Sequence, residues 1–163
     1  MHILDASAVI SICDESNTDW LLDRMLDFDD TSVPMEVYCE LEDEMGEQTK
    51  SGRILKEYHK NGKIQFLTNT PEQIRKFEAG LTYEEKELLA VGEKGVMIAY
   101  ENYSGDGEPC CVLDDGDAVE YARTHGLVNT NTGRLMEVLL NNNKITEDEY
   151  RNVMKSMGKP LFR

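Results

Sequence analysis

The stretch CCVLDDGDAVEYA, residues 110 to 122, runs from an apolar segment into Asp114, Asp115 and Asp117, three carboxylates within four positions. Like charges at this spacing repel. A divalent cation is the ordinary reason to gather them, because hard ions such as Mg²⁺ and Mn²⁺ take oxygen ligands. Asp5 ends a second short apolar run, HIL. Each of these acids also has a local alternative: Asp5 can cap the helix after it, and Asp114 with Asp117 three residues on has capping-box-like spacing, each worth about 1 kcal/mol. Glu85 is harder to dismiss. On a single helical wheel drawn over GLTYEEKELLAVGEKGV it falls within the arc of Leu81, Leu88, Leu89, Gly92 and Val96, facing the interior. An ionised acid buried without a partner is costly or takes up a proton. No Lys or Arg at helical spacing shares the arc, so a bound cation is favoured over a distant ion pair. In MEVYCELEDEMGE the apolar stripe is Val37, Tyr38, Leu41 and Met45; Glu40 and Glu44 both border it, and periodicity does not choose between them.

The elements that must position these acids can be read from capping and periodicity. HIL is a strand leading into the helix DASAVISIC. NTDWLLDRMLDF has Trp20, Leu21, Met25 and Phe28 at helical spacing behind an Asn17 or Thr18 cap. A helix follows over MEVYCELEDEMG, with Pro34 in its first turn and Gly46 near its end. Further helices are predicted over TKSGRILKEYHKNG, TPEQIRKFEAG, TYEEKELLAVGEKG, DDGDAVEYARTHG, TGRLMEVLLNNN and TEDEYRNVMKSMG, and strands over KIQFLT, CCVL and LVN. Buried strands alternating with helices predict an α/β fold in three layers, α/β/α, around a mostly parallel sheet of about five strands. In such folds ligands bind beyond the carboxyl ends of the strands. Asp5 and the pair Asp114 and Asp115 should therefore share one edge of the sheet.

The chain has 163 residues, 40% of them hydrophobic, which suits one domain with its own core. No apolar stretch reaches the roughly 20 residues of a membrane span, and MHILDASAVI lacks the basic start and cleavage site of a secretory signal. A cytoplasmic protein without a membrane partner is expected. Cys13, Cys39, Cys110 and Cys111 show no paired spacing and read as reduced core residues. The net charge of −15 argues against a general nucleic-acid binder, although a metal site can bridge that repulsion locally. Arg53, Lys56 and Lys60, joined by Lys50 and Lys63, form the most basic surface and are candidates to position a phosphate backbone; an ordinary exposed helix face explains them equally well.

Taken together, the motifs resemble the PIN-domain nucleases, including the toxin ribonucleases of the VapC type and related prokaryotic PIN proteins. ILDASAVI looks like the family's opening strand and first metal-binding acid, Asp5, with Ser7 two residues on. VPMEVYCEL looks like its V-P-x-x-V-x-x-E segment and singles out Glu40; GLTYEEKELLAVG is similar to its G-L-x-x-x-E segment and puts the third acid at Glu85. The region from Val112 to Tyr150 looks like the closing stretch, in which a strand ends in D-D. Gly116, Asp117 and Val119 stand where many relatives carry Arg, and Asn131 stands where the family often has Thr. These departures fall on substrate contacts and leave the ligands in place.

The resemblance implies a metal-dependent endoribonuclease, a hydrolase in which Asp5, Glu40, Glu85 and Asp115, helped by Asp114 or Asp117, hold one or two Mg²⁺ or Mn²⁺ ions. Two such ions, about 3.5 to 4 Å apart, would activate water for in-line attack on a phosphodiester. Products with 5′-phosphate and 3′-hydroxyl ends are implied. So are Ser7 and Asn131 as substrate contacts, an antitoxin-like partner from a toxin-antitoxin pair, and a homodimer. Without metal, the crowded carboxylates should raise one another's pKa values. The main rival is a PIN-like fold that has lost catalysis and serves as a binding or scaffold module. VLDDGDAV also looks superficially like a haloacid-dehalogenase strand end, but that family places its nucleophile near the N-terminus and needs a Lys and further acids downstream. A receiver domain has its acids at different strand ends, and DDGDAVE does not fit the EF-hand pattern.

Overall fold

The computed structural model describes residues 1–42 and 49–161. Its centre is a five-stranded sheet of β1 (His2–Leu4), β2 (Thr31–Pro34), β3 (Gln65–Leu67), β4 (Cys110–Val112) and β5 (Asn129–Thr130). The order is β3-β2-β1-β4-β5, and every neighbouring pair is parallel. The helices are α1 (Ala6–Ile10), which continues as a π-helical segment (Ser11–Glu15), α2 (Leu21–Phe28), α3 (Met35–Glu40), α4 (Lys50–Lys60), α5 (Pro71–Gly80), α6 (Tyr83–Leu88), α7 (Val91–Glu101), α8 (Gly116–Thr124), α9 (Thr132–Asn141) and α10 (Glu147–Ser156). Against one face of the sheet lies α7, packed on α3 and α5; the π-helical segment with α2 and α4, and α9 with α10, cover the other. The fold is a three-layer α/β/α sandwich.

Consecutive strand residues show why both faces must be covered. Ile3 and Leu4, and likewise Cys111, Val112 and Leu113, are all 0% exposed, so side chains pointing to opposite sides of the sheet are equally buried. Among the described residues no helix is long and apolar enough to cross a membrane. None of the four cysteines is in a disulfide; Cys13 and Cys111 are buried and Cys110 is half-buried, but Cys39 is exposed and is not a core residue.

Five local expectations differ from the structure. Neither Asn17 nor Thr18 caps α2, which starts after Trp20 with no side-chain cap. The strand β2 is missing from the sequence reading because TSVP looks like a helix entry; all four of its residues are buried, and Pro34 ends the strand as the N-cap of α3. The helix over 35–46 closes at Leu41, and Glu44, Met45 and Gly46 lie outside the described residues. The last strand begins at Asn129, because Gly126 at φ +72° and the buried Leu127 first turn the chain into the core. Most consequentially, TYEEKELLAVGEKG is two helices. The chain is extended at Leu89 and Ala90, and α7 starts afresh at Val91.

Candidate functional site: an acidic edge of the sheet

Because the strands are parallel, their carboxyl ends meet at one edge, and the register sets which ends touch. Leu4 pairs with Val112, and Asp5 N–H donates to Val112 O at 3.2 Å. One residue further on, Asp114 N–H approaches Asp5 Oδ2 at 3.4 Å. Asp5 is 1% exposed and is the N-cap of α1: its Oδ1 accepts the Ala8 N–H at 2.6 Å. The local cap and the shared edge are thus both present. Burial pushes the Asp5 carboxyl up to about 7; the negative charges of Asp114 and Glu93 add to the rise, and the Ala8 and Asp114 amides oppose it.

The break between α6 and α7 reassigns the third acid. Glu85 sits in the first turn of α6 and bonds the Thr82 N–H at 2.8 Å, closing a capping box. Its other partner is His125 Nε2 of α8, at 3.3 Å. The arc that made Glu85 look inward does not exist, since Leu88, one of its members, is 57% exposed. Glu85 is therefore a cap and a helix-to-helix contact.

Glu93 is the glutamate coupled to the other acids of this edge. In the first turn of α7, it accepts the Ala90 N–H at 2.8 Å. Half-burial pushes its carboxyl up, and so do the negative charges of Asp115, Glu40 and Asp117. Glu93 and Asp5 feel one another as well. The sequence signal for Glu93 was faint: it follows the Ala90 N-cap at capping-box spacing but without a Ser or Thr, and it lies between Gly92 and Gly95.

Those two glycines position Glu40. Its Oε1 accepts the Gly92 N–H at 2.7 Å across the α3–α7 contact. A Cβ on Gly92 would come within 2.5 Å of Glu40 Oε2, and a Cβ on Gly95 within 2.9 Å of Glu36 Cβ. The two clashes differ in kind. Gly92→Ala meets the free end of a flexible side chain and adds about 1 kcal/mol of helix propensity, so it should move the melting temperature by no more than about 3 °C while dislodging the Glu40 carboxylate. Gly95→Ala meets an atom rooted on α3 and should cost about 1–3 kcal/mol. Thermal melts of the two variants check this; equal losses would contradict the packing argument.

Asp114 and Asp115 divide the roles expected of one residue. Asp115, not Asp114, is the N-cap of α8, and its Oδ1 accepts the Asp117 N–H at 2.9 Å. Asp115 and Asp117 are both exposed. Asp114 turns inward and bridges to α9: Oδ1 takes the Thr132 N–H at 2.8 Å, and Oδ2 takes the Thr132 hydroxyl at 2.6 Å and the Ser11 hydroxyl at 3.1 Å. Lys159 Nζ bonds the same Oδ2 at 3.0 Å. Burial pulls the Asp114 carboxyl up, but the Thr132 and Lys159 bonds outweigh it and leave the group below its ordinary range. Burial, with repulsion between neighbouring acids as a smaller contribution, thus raises Asp5 and Glu93, while Asp114 is held down by its bonds. Thr132 and Lys159 were missed in the sequence; neither has a local pattern that announces its partner.

The remaining candidates lie around or away from this edge. Ser7 is exposed on α1. Asn131 is the N-cap of α9, accepting the Arg134 N–H at 2.9 Å. Arg53, Lys56 and Lys60 are exposed on α4. Lys60 ends that helix, about 15 Å along it from Lys50 at 1.5 Å per residue, five residues before β3 begins. Lys50 and Lys63 are paired with Asp14 at 3.5 Å and Asp23 at 2.9 Å. Beside Glu40, by contrast, a groove of about 440 Å³ opens between Met35, Cys39, Asn69 and Val91.

Among the described residues, no three carboxylate, imidazole or thiol groups stand close enough to hold a metal ion together. The donor chemistry nevertheless suits a hard divalent cation. Asp5, Glu40 and Glu93 each give an oxygen to one short backbone N–H bond. Among the described residues, none of the three, nor Asp115, forms an ion pair. No family model matches this chain, and no curated protein matches it.

Proposed function

We propose that this chain is a Mg²⁺- or Mn²⁺-dependent endoribonuclease with a PIN-like site. One observation carries the reading: Asp5, Glu40 and Glu93, from three distant segments, repeat one device around the same sheet edge, a short backbone-amide bond to one carboxylate oxygen; the second oxygen of Asp5 meets only the long 3.4 Å approach of the Asp114 amide. These three, with Asp115, would hold the ion; rotation of the half-exposed Glu93 and the exposed Asp115 would be needed to bring them together. A bound divalent ion supplies Lewis acidity toward a phosphate and makes a water more acidic. The chain's own groups do the rest. Asp5, fixed by the Ala8 amide and shut off from solvent, holds negative charge at a set position. Asp115, open to solvent, can take a proton from the attacking water through Oδ2. The substrate would cross the groove beside Glu40, where a bound divalent ion would locally offset the repulsion set by a net charge of −15. In this reading the protein works in the cytoplasm, with an antitoxin-like protein or a second copy as partner.

Purified protein incubated with single-stranded RNA and Mn²⁺ should yield fragments with 5′-phosphate and 3′-hydroxyl ends, and none when EDTA replaces the metal. A second reading, a PIN-like binding or scaffold protein without catalysis, is favoured by the unconverged ligands and by the lysine on Asp114. RNA left intact by folded wild-type protein across a Mn²⁺ titration would decide for it.

A further inference from the structure

Lys159 enters the acid cluster from outside every segment that supplies an acid. Helix α10 is stopped by Gly158 at φ +65°, with Gly158 N–H donating to Lys155 O at 3.1 Å and Lys159 N–H to Met154 O at 2.9 Å. This left-handed stop fixes the backbone of Lys159. From there the side chain reaches Asp114, and the pair is sheltered, at 22% and 9% exposure. Oδ2 of Asp114 then faces the ammonium and two hydroxyls, and Oδ1 faces an amide. That is close to the full accepting capacity of a carboxylate. The Ser11 hydroxyl also lies 3.0 Å from Glu15 Oε2, and its single proton can serve only one of the two acids. The ammonium is therefore the dependable positive charge on Asp114.

We propose that Lys159 stands as a resident second cation in this site: it withdraws Asp114 from the ligand set and limits the cluster to one divalent ion, held by Asp5, Glu40, Glu93 and Asp115. The inference rests on the reading of the edge as a divalent-cation site. Lys159 is a positioning residue in this scheme, and its test reads binding directly.

Mn²⁺ titrations by calorimetry and by the free-ion electron paramagnetic resonance signal should give one ion per wild-type chain and two per chain in Lys159→Met. Lys159→Arg keeps the charge and should stay at one. Lys159→Gln, which keeps a neutral donor toward Asp114, provides the same comparison should the Met variant not fold. Asp114→Asn should still bind one ion, because its carboxylate is already engaged. Two ions on the wild type, one ion on folded Lys159→Met or Lys159→Gln, or loss of binding in folded Asp114→Asn would each overturn the role of Lys159 while leaving the cation site standing. No Mn²⁺ bound by the wild type or any variant would instead overturn the cation site, and this inference with it.

Discussion

Asp5→Asn is expected to remove RNA cleavage and at the same time to make the metal-free protein harder to unfold at pH 8. The two effects come from one cause. Asp5 is buried among acids, and its carboxyl titrates near 7 in the fold against 3.8 in the unfolded chain. Between about pH 4 and 7 the folded chain keeps a proton that the unfolded chain has released. Stability of the metal-free protein therefore falls as pH rises through that window and levels off above it. The full difference corresponds to on the order of 4 kcal/mol. Asparagine caps a helix nearly as well as aspartate and carries no charge to bury, so the variant should gain about 1–3 kcal/mol at pH 8 after the weak bond to the Asp114 amide is lost. Near pH 4 the gain should vanish. Asp114, whose carboxyl lies below its ordinary range, contributes in the opposite sense: its stabilisation is present above about pH 4 and is lost only as pH falls further. Urea unfolding of both proteins in EDTA at pH 4.5, 6 and 8 measures this. A variant less stable than wild type at pH 8 would show that Asp5 is not strained by burial. Mn²⁺ should raise the wild-type midpoint at pH 8 and leave that of Asp5→Asn unmoved. Cleavage should fall by about 10³-fold, the scale of losing several kcal/mol of charge stabilisation in the transition state.

The second large effect separates two glutamates that the sequence alone confuses. Glu93→Gln should lower cleavage by about 10²-fold or more, because it removes one of the three acids that face the shared edge. Glu85→Gln should change it by less than about 3-fold. Its carboxylate meets His125 and the Thr82 amide; glutamine can keep the cap, and a partly exposed pair of this kind is worth about 1 kcal/mol or less. Single-turnover cleavage with saturating Mn²⁺, beside thermal melts of each variant, separates a lost ligand from a lost fold. Strong loss in Glu85→Gln with wild-type behaviour in Glu93→Gln would show that α6 supplies the third acid.

The contrast between these glutamates illustrates where information in the chain is local. Asp5 and the acids after β4 announced themselves because a short apolar run followed by an acid and a helix start is written in consecutive residues. Parallel pairing then carried them to the same edge. The Thr70 and Thr82 caps were readable for the same reason. Glu40 was named through its resemblance segment, although helical periodicity left it level with Glu44.

Other features depend on partners far along the chain. Nothing near TSVP marks it as a strand, because its polar residues become buried only between β1 and β3. The extended pair Leu89 and Ala90 has no glycine or proline to mark it; a wheel drawn through it turned Glu85 inward and hid Glu93. Gly92 and Gly95 acquire meaning only against α3, where their missing side chains let Glu40 reach a backbone amide. Lys159 lies 45 residues beyond Asp114, yet the two meet at 3.0 Å. Adjacent residues could name the acids. Which of them share an edge, and which one already has a positive charge beside it, follows from register, close helix packing and a helix stop, all fixed by contacts between residues that are remote in sequence.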